Sequence, residues 1–159
     1  MQKRKFLFIG LIALFAILIV GSASAFDLSS LFGDSSSNGP TEQVTIEGIN
    51  FTVPEEYTKN PKSFLNNVTT KVGSVSYTMN GQSFENEKGD ALAIVVSDYD
   101  GVNVTEQAVK ETGGTKKTIS GHDGYFKKDG DFYVFSYIEK GDLVTVSASD
   151  EKLIEQIIA

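Results

Sequence analysis

His122 is the only histidine in the chain, and it stands beside Asp123 in Ser-Gly-His-Asp-Gly-Tyr, residues 120–125. An imidazole next to a carboxylate could serve as a general base or a metal ligand. No Ser or Cys nucleophile motif accompanies it, and the flanking glycines read as a turn, so a solvated loop histidine is expected. Asp98, Asp100 and Asn103, in Asp-Tyr-Asp-Gly-Val-Asn-Val-Thr-Glu, place several oxygen ligands in one short loop, which suits calcium. The EF-hand order fails there. Val102 holds the fifth ligand position, Gly101 is misplaced, and Val109 stands where a bidentate Glu belongs. A strand-to-helix turn with capping Asp and Asn is the plainer reading. Paired carboxylates can hydrolyse glycosides, but the chain holds 21 acids, and acids this abundant are ordinarily solvated surface. No catalytic residue and no cofactor are called for.

Aromatic residues form a second candidate. Tyr133, Phe135 and Tyr137 share one face of a strand whose other face carries Phe132, Val134 and Ile138, and Tyr125 lies across the Asp129-Gly130 turn. Two buried faces beneath helical layers explain this pattern. The rival is an open face presenting Tyr125, Tyr133, Phe135 and Tyr137 to a glycan or peptide. The absence of Trp weakens the carbohydrate version. Lys140-Gly141-Asp142 matches an adhesion tripeptide, but a hairpin turn explains it.

The elements that would position these residues follow from periodicity. Val44 and Ile46, then Ile49, Phe51 and Val53, alternate about a turn at Gly48 and predict two short strands. Asn60-Pro61 predicts the start of a short helix over Phe64, Leu65 and Val68. Val72 to Met79 predicts a strand reaching a hairpin turn at Asn80-Gly81, with its return near Ser83 to Glu87. Ala91 to Tyr99 is apolar on both faces, as in a strand covered on both sides. Thr105 to Thr112 predicts a helix capped by Asn103 or Thr105 and stopped by Gly113-Gly114. Three or four antiparallel strands then turn at Asp129-Gly130 and Lys140-Gly141. A last helix from Ser149 or Asp150 would bury Leu153, Ile154, Ile157 and Ile158. The fold class is therefore α+β, an antiparallel sheet with helices packed on it. Residues 42–159 form one domain that is expected to fold as a monomer.

The order of an opening hairpin ending in Phe-Thr-Val-Pro-Glu-Glu-Tyr (51–57), a helix-bearing middle and a meander closed by Ala-Ser-Asp-Glu-Lys-Leu-Ile-Glu-Gln-Ile-Ile (148–158) resembles the PsbP and Mog1-like α/β/α sandwich. The chain is also similar in style to small envelope proteins of methanogenic archaea. The resemblance spans about residues 43 to 158 and implies a binding or assembly module, with no catalytic residue to carry over.

The N-terminal segment speaks of location. Lys3, Arg4 and Lys5 precede an apolar run from Phe6 to Val20, which leads into Gly21-Ser22-Ala23-Ser24-Ala25. That is the order of a secretory signal cut after Ala25. Read instead as a membrane anchor over residues 6–26, the run makes a helix of roughly 32 Å, against about 30 Å of hydrocarbon. Residues 1–25 are thus a signal peptide or an apolar anchoring helix ahead of the domain. Residues 26–41, rich in Ser and Gly, read as a flexible linker in which Leu28, Leu31 and Phe32 could touch lipid.

Beyond residue 25 the chain keeps 11 lysines against 21 acids, a net charge of −10 that repels nucleic acid. With no Cys, stability rests on a packed core. A prokaryotic envelope, extracellular or on the outer face of the cytoplasmic membrane, fits these features. Sequons at Asn50, Asn67 and Asn103 are usable wherever the host glycosylates exported chains. Three functions follow in order of preference: a non-catalytic envelope module with an unknown envelope partner or small ligand, a carrier of a small apolar ligand, and a carboxylate-based hydrolase.

Overall fold

Alternating apolar residues build the first hairpin. Val44 and Ile46 on β1 (Glu42–Ile46) and Ile49, Phe51 and Val53 on β2 (Ile49–Val53) all turn into the core. The reversal uses Glu47 and Gly48 at φ 48° and 71°, the paired left-handed conformation of a tight hairpin. These facts come from a computed structural model that describes residues 42–72 and 75–158. The signal or anchor at 1–25, its cut at Ala25 and the linker at 26–41 lie outside the described residues.

The rest of the chain makes a seven-stranded, wholly antiparallel sheet. Its strands are β3 (Thr58–Val72), β4 (Val75–Glu85), β5 (Ala91–Asp98), β6 (Thr115–Ile119), β7 (His122–Asp129), β8 (Phe132–Glu139) and β9 (Asp142–Ala148). They lie in the order β3-β4-β5-β9-β8-β7-β6. Two local meanders, β3 to β5 and β6 to β9, therefore join at the β5–β9 seam. Two helices occur among the described residues: α1 (Glu106–Lys110) and α2 (Glu151–Ile158).

Each face of the sheet carries its own core. On one, Leu92, Ile94 and Val96 of β5, Val144 and Val146 of β9 and Phe135 and Tyr137 of β8 pack with Leu153, Ile154 and Ile157 of α2 and with the β1–β2 hairpin. On the other, Val109 of α1 packs with Tyr77, Met79, Val95, Tyr99, Tyr125 and Leu143. Each apolar stripe is thus removed from water by a separate cover. The α1 helix is capped by Thr105, whose Oγ1 accepts from the Ala108 N–H at 3.3 Å. α2 starts at Glu151, an acid in its first turn, and buries Leu153, Ile154 and Ile157, with Ile158 only partly covered.

Two expectations are corrected. Residues 60–68 are strand, not helix: β3 runs through them and pairs with β4. Four residues, Asn60 to Ser63, bulge out opposite Ser83, and Asn66 and Asn67 together oppose Asn80. These insertions shift the strand's two-residue parity, which brought Phe64, Leu65 and Val68 to a spacing that mimics a helix. Asn80-Gly81 is likewise no turn, because β4 continues straight through it and the reversal falls between Val72 and Val75. Gly81 is there for space. A Cβ on it would lie 2.7 Å from the Ile94 carbonyl oxygen and 2.8 Å from Val95 Cγ2.

Candidate functional site

Phe135 and Tyr137 belong to the core, at 0% and 1% exposure, with their rings stacked at 5.4 Å. Burial raises the Tyr137 phenol pKa well above its ordinary value. Tyr133 is partly buried on the same face and stacks on Phe126 at 5.8 Å. Tyr125 lies on the opposite face, in the cluster with Val109. The four aromatics therefore do not form one open platform, and packing accounts for the pattern that an exposed ligand face would also have explained.

His122 is not a loop residue. It opens β7 after the Ser120-Gly121 turn, half-buried, with its ring 4.6 Å from that of Tyr137. Asp98 ends β5, and the next residues are spent on chain reversal, with Asp100 and Gly101 at φ 51° and 79°. Asn103 is exposed, its Oδ1 2.6 Å from where a Cβ on Gly141 would lie. Among the described residues no group of three or more His, Asp or Glu is placed to hold a metal ion. Nor is any helix among them long and apolar enough to cross a membrane.

The end of the sheet that carries these residues is a polar junction. Asn80 donates from Nδ2 to Glu47 Oε1 at 2.6 Å and accepts the Asn67 N–H on Oδ1 at 2.7 Å, joining the first hairpin to the β3 bulge. Asn67, at φ 51°, takes the left-handed conformation that Asn tolerates better than most residues. Lys140, in the β8–β9 turn, donates from Nζ to the Gly48 carbonyl at 2.6 Å. Thus the Lys-Gly-Asp tripeptide is a turn that latches the hairpin. Nearby, burial and then the charges of Asp98 and Glu47 raise the pKa of the Asp142 carboxyl.

A different region stands out by charge. From Tyr57 to Phe84, 28 residues covering β3 and most of β4, there is no acid, while the remaining 90 residues of the domain carry 19. The same stretch holds Lys59, Lys62 and Lys71. β3 ends the sheet, with no strand on its outer side among the described residues. At the opposite edge, β6 also carries lysines, but Lys116 pairs with Glu106 at 2.6 Å and Lys117 pairs with Glu151. Lys59 and Lys62 are exposed and meet no acid among the described residues. Beside them Phe64 is 58% exposed and Val68 38%.

The edge is held firmly from behind. Gln82, buried on β4, donates from Nε2 to the carbonyls of Asn60 and Ser63 at 2.9 and 3.2 Å, and Ser83 Oγ donates to Ser63 at 3.0 Å. The Asn60 side chain accepts the Lys62 N–H at 3.0 Å, a local turn that presents Lys62 outward.

Comparison of the chain with protein-family models, with curated proteins and with solved structures returns no match. The site is therefore read from its own chemistry. It offers lysines and apolar side chains along a strand whose outer edge meets no other strand among the described residues. Sequence reasoning passed over Lys59, Lys62 and Phe64. The missing acids between residues 57 and 84 were the signal that could have found them.

Proposed function

We propose that the chain is an exported, non-catalytic binding or assembly module of the cell envelope, and that β3 is its contact edge. The observation that carries this reading is the acid-free, lysine-bearing open strand on an otherwise strongly acidic domain. A protein with so negative a surface repels acidic partners everywhere except where that charge is absent. Exposed Phe64 adds the kind of aromatic anchor on which interfaces concentrate their energy.

The apolar segment and its Ala23-Ser24-Ala25 exit support export, to the outer face of the cytoplasmic membrane or beyond it. Placement of the hairpin and α2 on one face and α1 on the other supports the layered PsbP and Mog1-like arrangement. The sequon residues Asn50, Asn67 and Asn103 are all exposed, which supports their use where the host glycosylates exported chains.

A photo-reactive amino acid at Phe64, compared with one at Val102, tests the reading in the chain's own host. Val102 is 69% exposed, in the loop between β5 and α1. An adduct formed at Phe64 and missing at Val102 is expected. Equal labelling at both positions, or none at Phe64, overturns the proposal.

A further inference from the structure

We infer that the stretch of β3 from Val68 to Val72 accepts an extended, acidic polypeptide segment as an eighth strand. This deepens the binding reading above and rests on it.

The first half of β3 is closed to such pairing. Pro61 lacks an N–H, and the Asn60–Ser63 bulge bends the backbone away from a regular ladder. From Val68 the register against β4 is unbroken: Val68 to Val72 oppose Met79 to Val75 in turn. Every second residue of that stretch points its N–H and C=O away from β4, because each strand of an antiparallel pair alternates between inward and outward groups. No other strand among the described residues meets these outward groups. Paired strands add affinity through the main chain, and the side chains that flank them choose the partner.

Charge decides which partner fits. Lysines on edge strands ordinarily guard against aggregation, and Pro61 with its bulge already does so for the first half of β3. Protection by charge would work with either sign, whereas this stretch excludes acids altogether in a domain rich in them. A second copy is a poor occupant. β3 against β3 would join two acid-free strands with no carboxylate for the lysines of either, and β6 presents Lys116 and Lys117. An incoming strand bearing Glu or Asp would instead meet a strand whose only charged residues are Lys59, Lys62 and Lys71.

The probe is a fluorescein-labelled octapeptide of alternating Glu and Thr, titrated with the full-length chain in detergent micelles and followed by anisotropy. The peptide is expected to bind, and added salt should weaken it. Methylating its alternate backbone nitrogens, which removes the donors of one edge, is expected to weaken binding at least about tenfold, near the worth of one or two hydrogen bonds. The charge-reversal variant Lys62→Glu/Lys71→Glu is expected to do the same, and a Lys-Thr octapeptide should not bind. Binding that ignores N-methylation overturns strand addition. No binding up to about 1 mM, the weak end of measurable affinity, overturns it as well. A dimer that the double variant dissociates assigns the edge to a second copy and overturns the acidic partner. If the peptide fails while the Phe64 adduct persists, this inference falls and the binding module stands; loss of both removes the module too.

Discussion

Asn80 holds Glu47 at 2.6 Å across 33 residues of sequence, tying the turn of the first hairpin to a strand of the main sheet. The same side chain accepts the Asn67 N–H, so one amide fixes both the hairpin and the left-handed bulge. Asn80→Ala removes both bonds in an exposed setting. It should lower stability by about 1 kcal/mol, a few degrees in melting temperature. Urea unfolding measures this, and an unchanged midpoint refutes the latch.

Tyr137 and Phe64 should respond in opposite ways. Tyr137→Ala empties a fully buried position and should cost about 3 to 5 kcal/mol, as large aromatic truncations do. Phe64→Ala, at an exposed position, should stay within about 0.5 kcal/mol. The reverse ranking would mean that the two aromatics have been assigned to the wrong environments.

The first hairpin, the closing meander, the two-faced central strand and both helices were legible because their signals are local: alternation around Gly48, apolar residues on both faces of Ala91–Asp98, a Thr cap, and a 3.6-residue stripe in the last helix. β3 was not. Its inserted residues, Asn60 to Ser63 and Asn66-Asn67, break the parity on which a strand is recognised, and the reason they can be inserted is the side chain of Gln82, far along the chain. Asn80-Gly81 misled for a related cause. The dipeptide is a turn signal when only neighbours are considered, whereas Gly81 answers a close approach by β5. The acid-free edge was hidden differently, since a missing residue type carries no motif.

Gly81→Ala and Gly124→Ala test those close approaches. A Cβ at 124 would sit 2.4 Å from the Ser136 carbonyl oxygen and 2.7 Å from the Phe135 ring. Each substitution should cost about 1 to 3 kcal/mol by overpacking. Denaturant titration checks both, and a loss below about 0.5 kcal/mol at either position would show that the strands can part there.

Alkaline stability should reflect the buried phenols. Burial first, then the charges of Asp90, Glu56 and Asp150, pushes Tyr57 up to about 12, and burial raises Tyr99 and Tyr137 further. A phenol held neutral by the fold favours it fully below the ordinary value of about 10, and that contribution is lost as pH rises through the folded value. The melting temperature should therefore fall between about pH 10 and 12, and less steeply in Tyr57→Phe; a flat profile across that range contradicts the burial.

Asp142 obeys the same sign at the other end of the scale. Its raised pKa means that the carboxylate is disfavoured in the fold at neutral pH, so Asp142→Asn should stabilise there. The gain should vanish below about pH 3.8, the ordinary value, where the acid is protonated in both states. A destabilised variant at pH 7 would instead give the charge a partner.

The chain isolated from its host should begin at Phe26, with the sequence Phe-Asp-Leu-Ser-Ser. Peptide mapping decides: peptides containing Phe15 to Val20 in the mature pool mean a retained anchor. Leu at both Ala23 and Ala25 should convert a released protein into a tethered one.

The β5–β9 seam has a kinetic meaning. β1 and β2 are made first, yet they pack against α2, the last helix, over strands of which one, β9, does not exist until residue 148 has been added. The opening hairpin must therefore wait, its apolar side uncovered, for almost the whole domain to be synthesised. Pairings so distant in sequence are slow to form, and the chain stays threadable and open to escort by other proteins until Ile157 arrives.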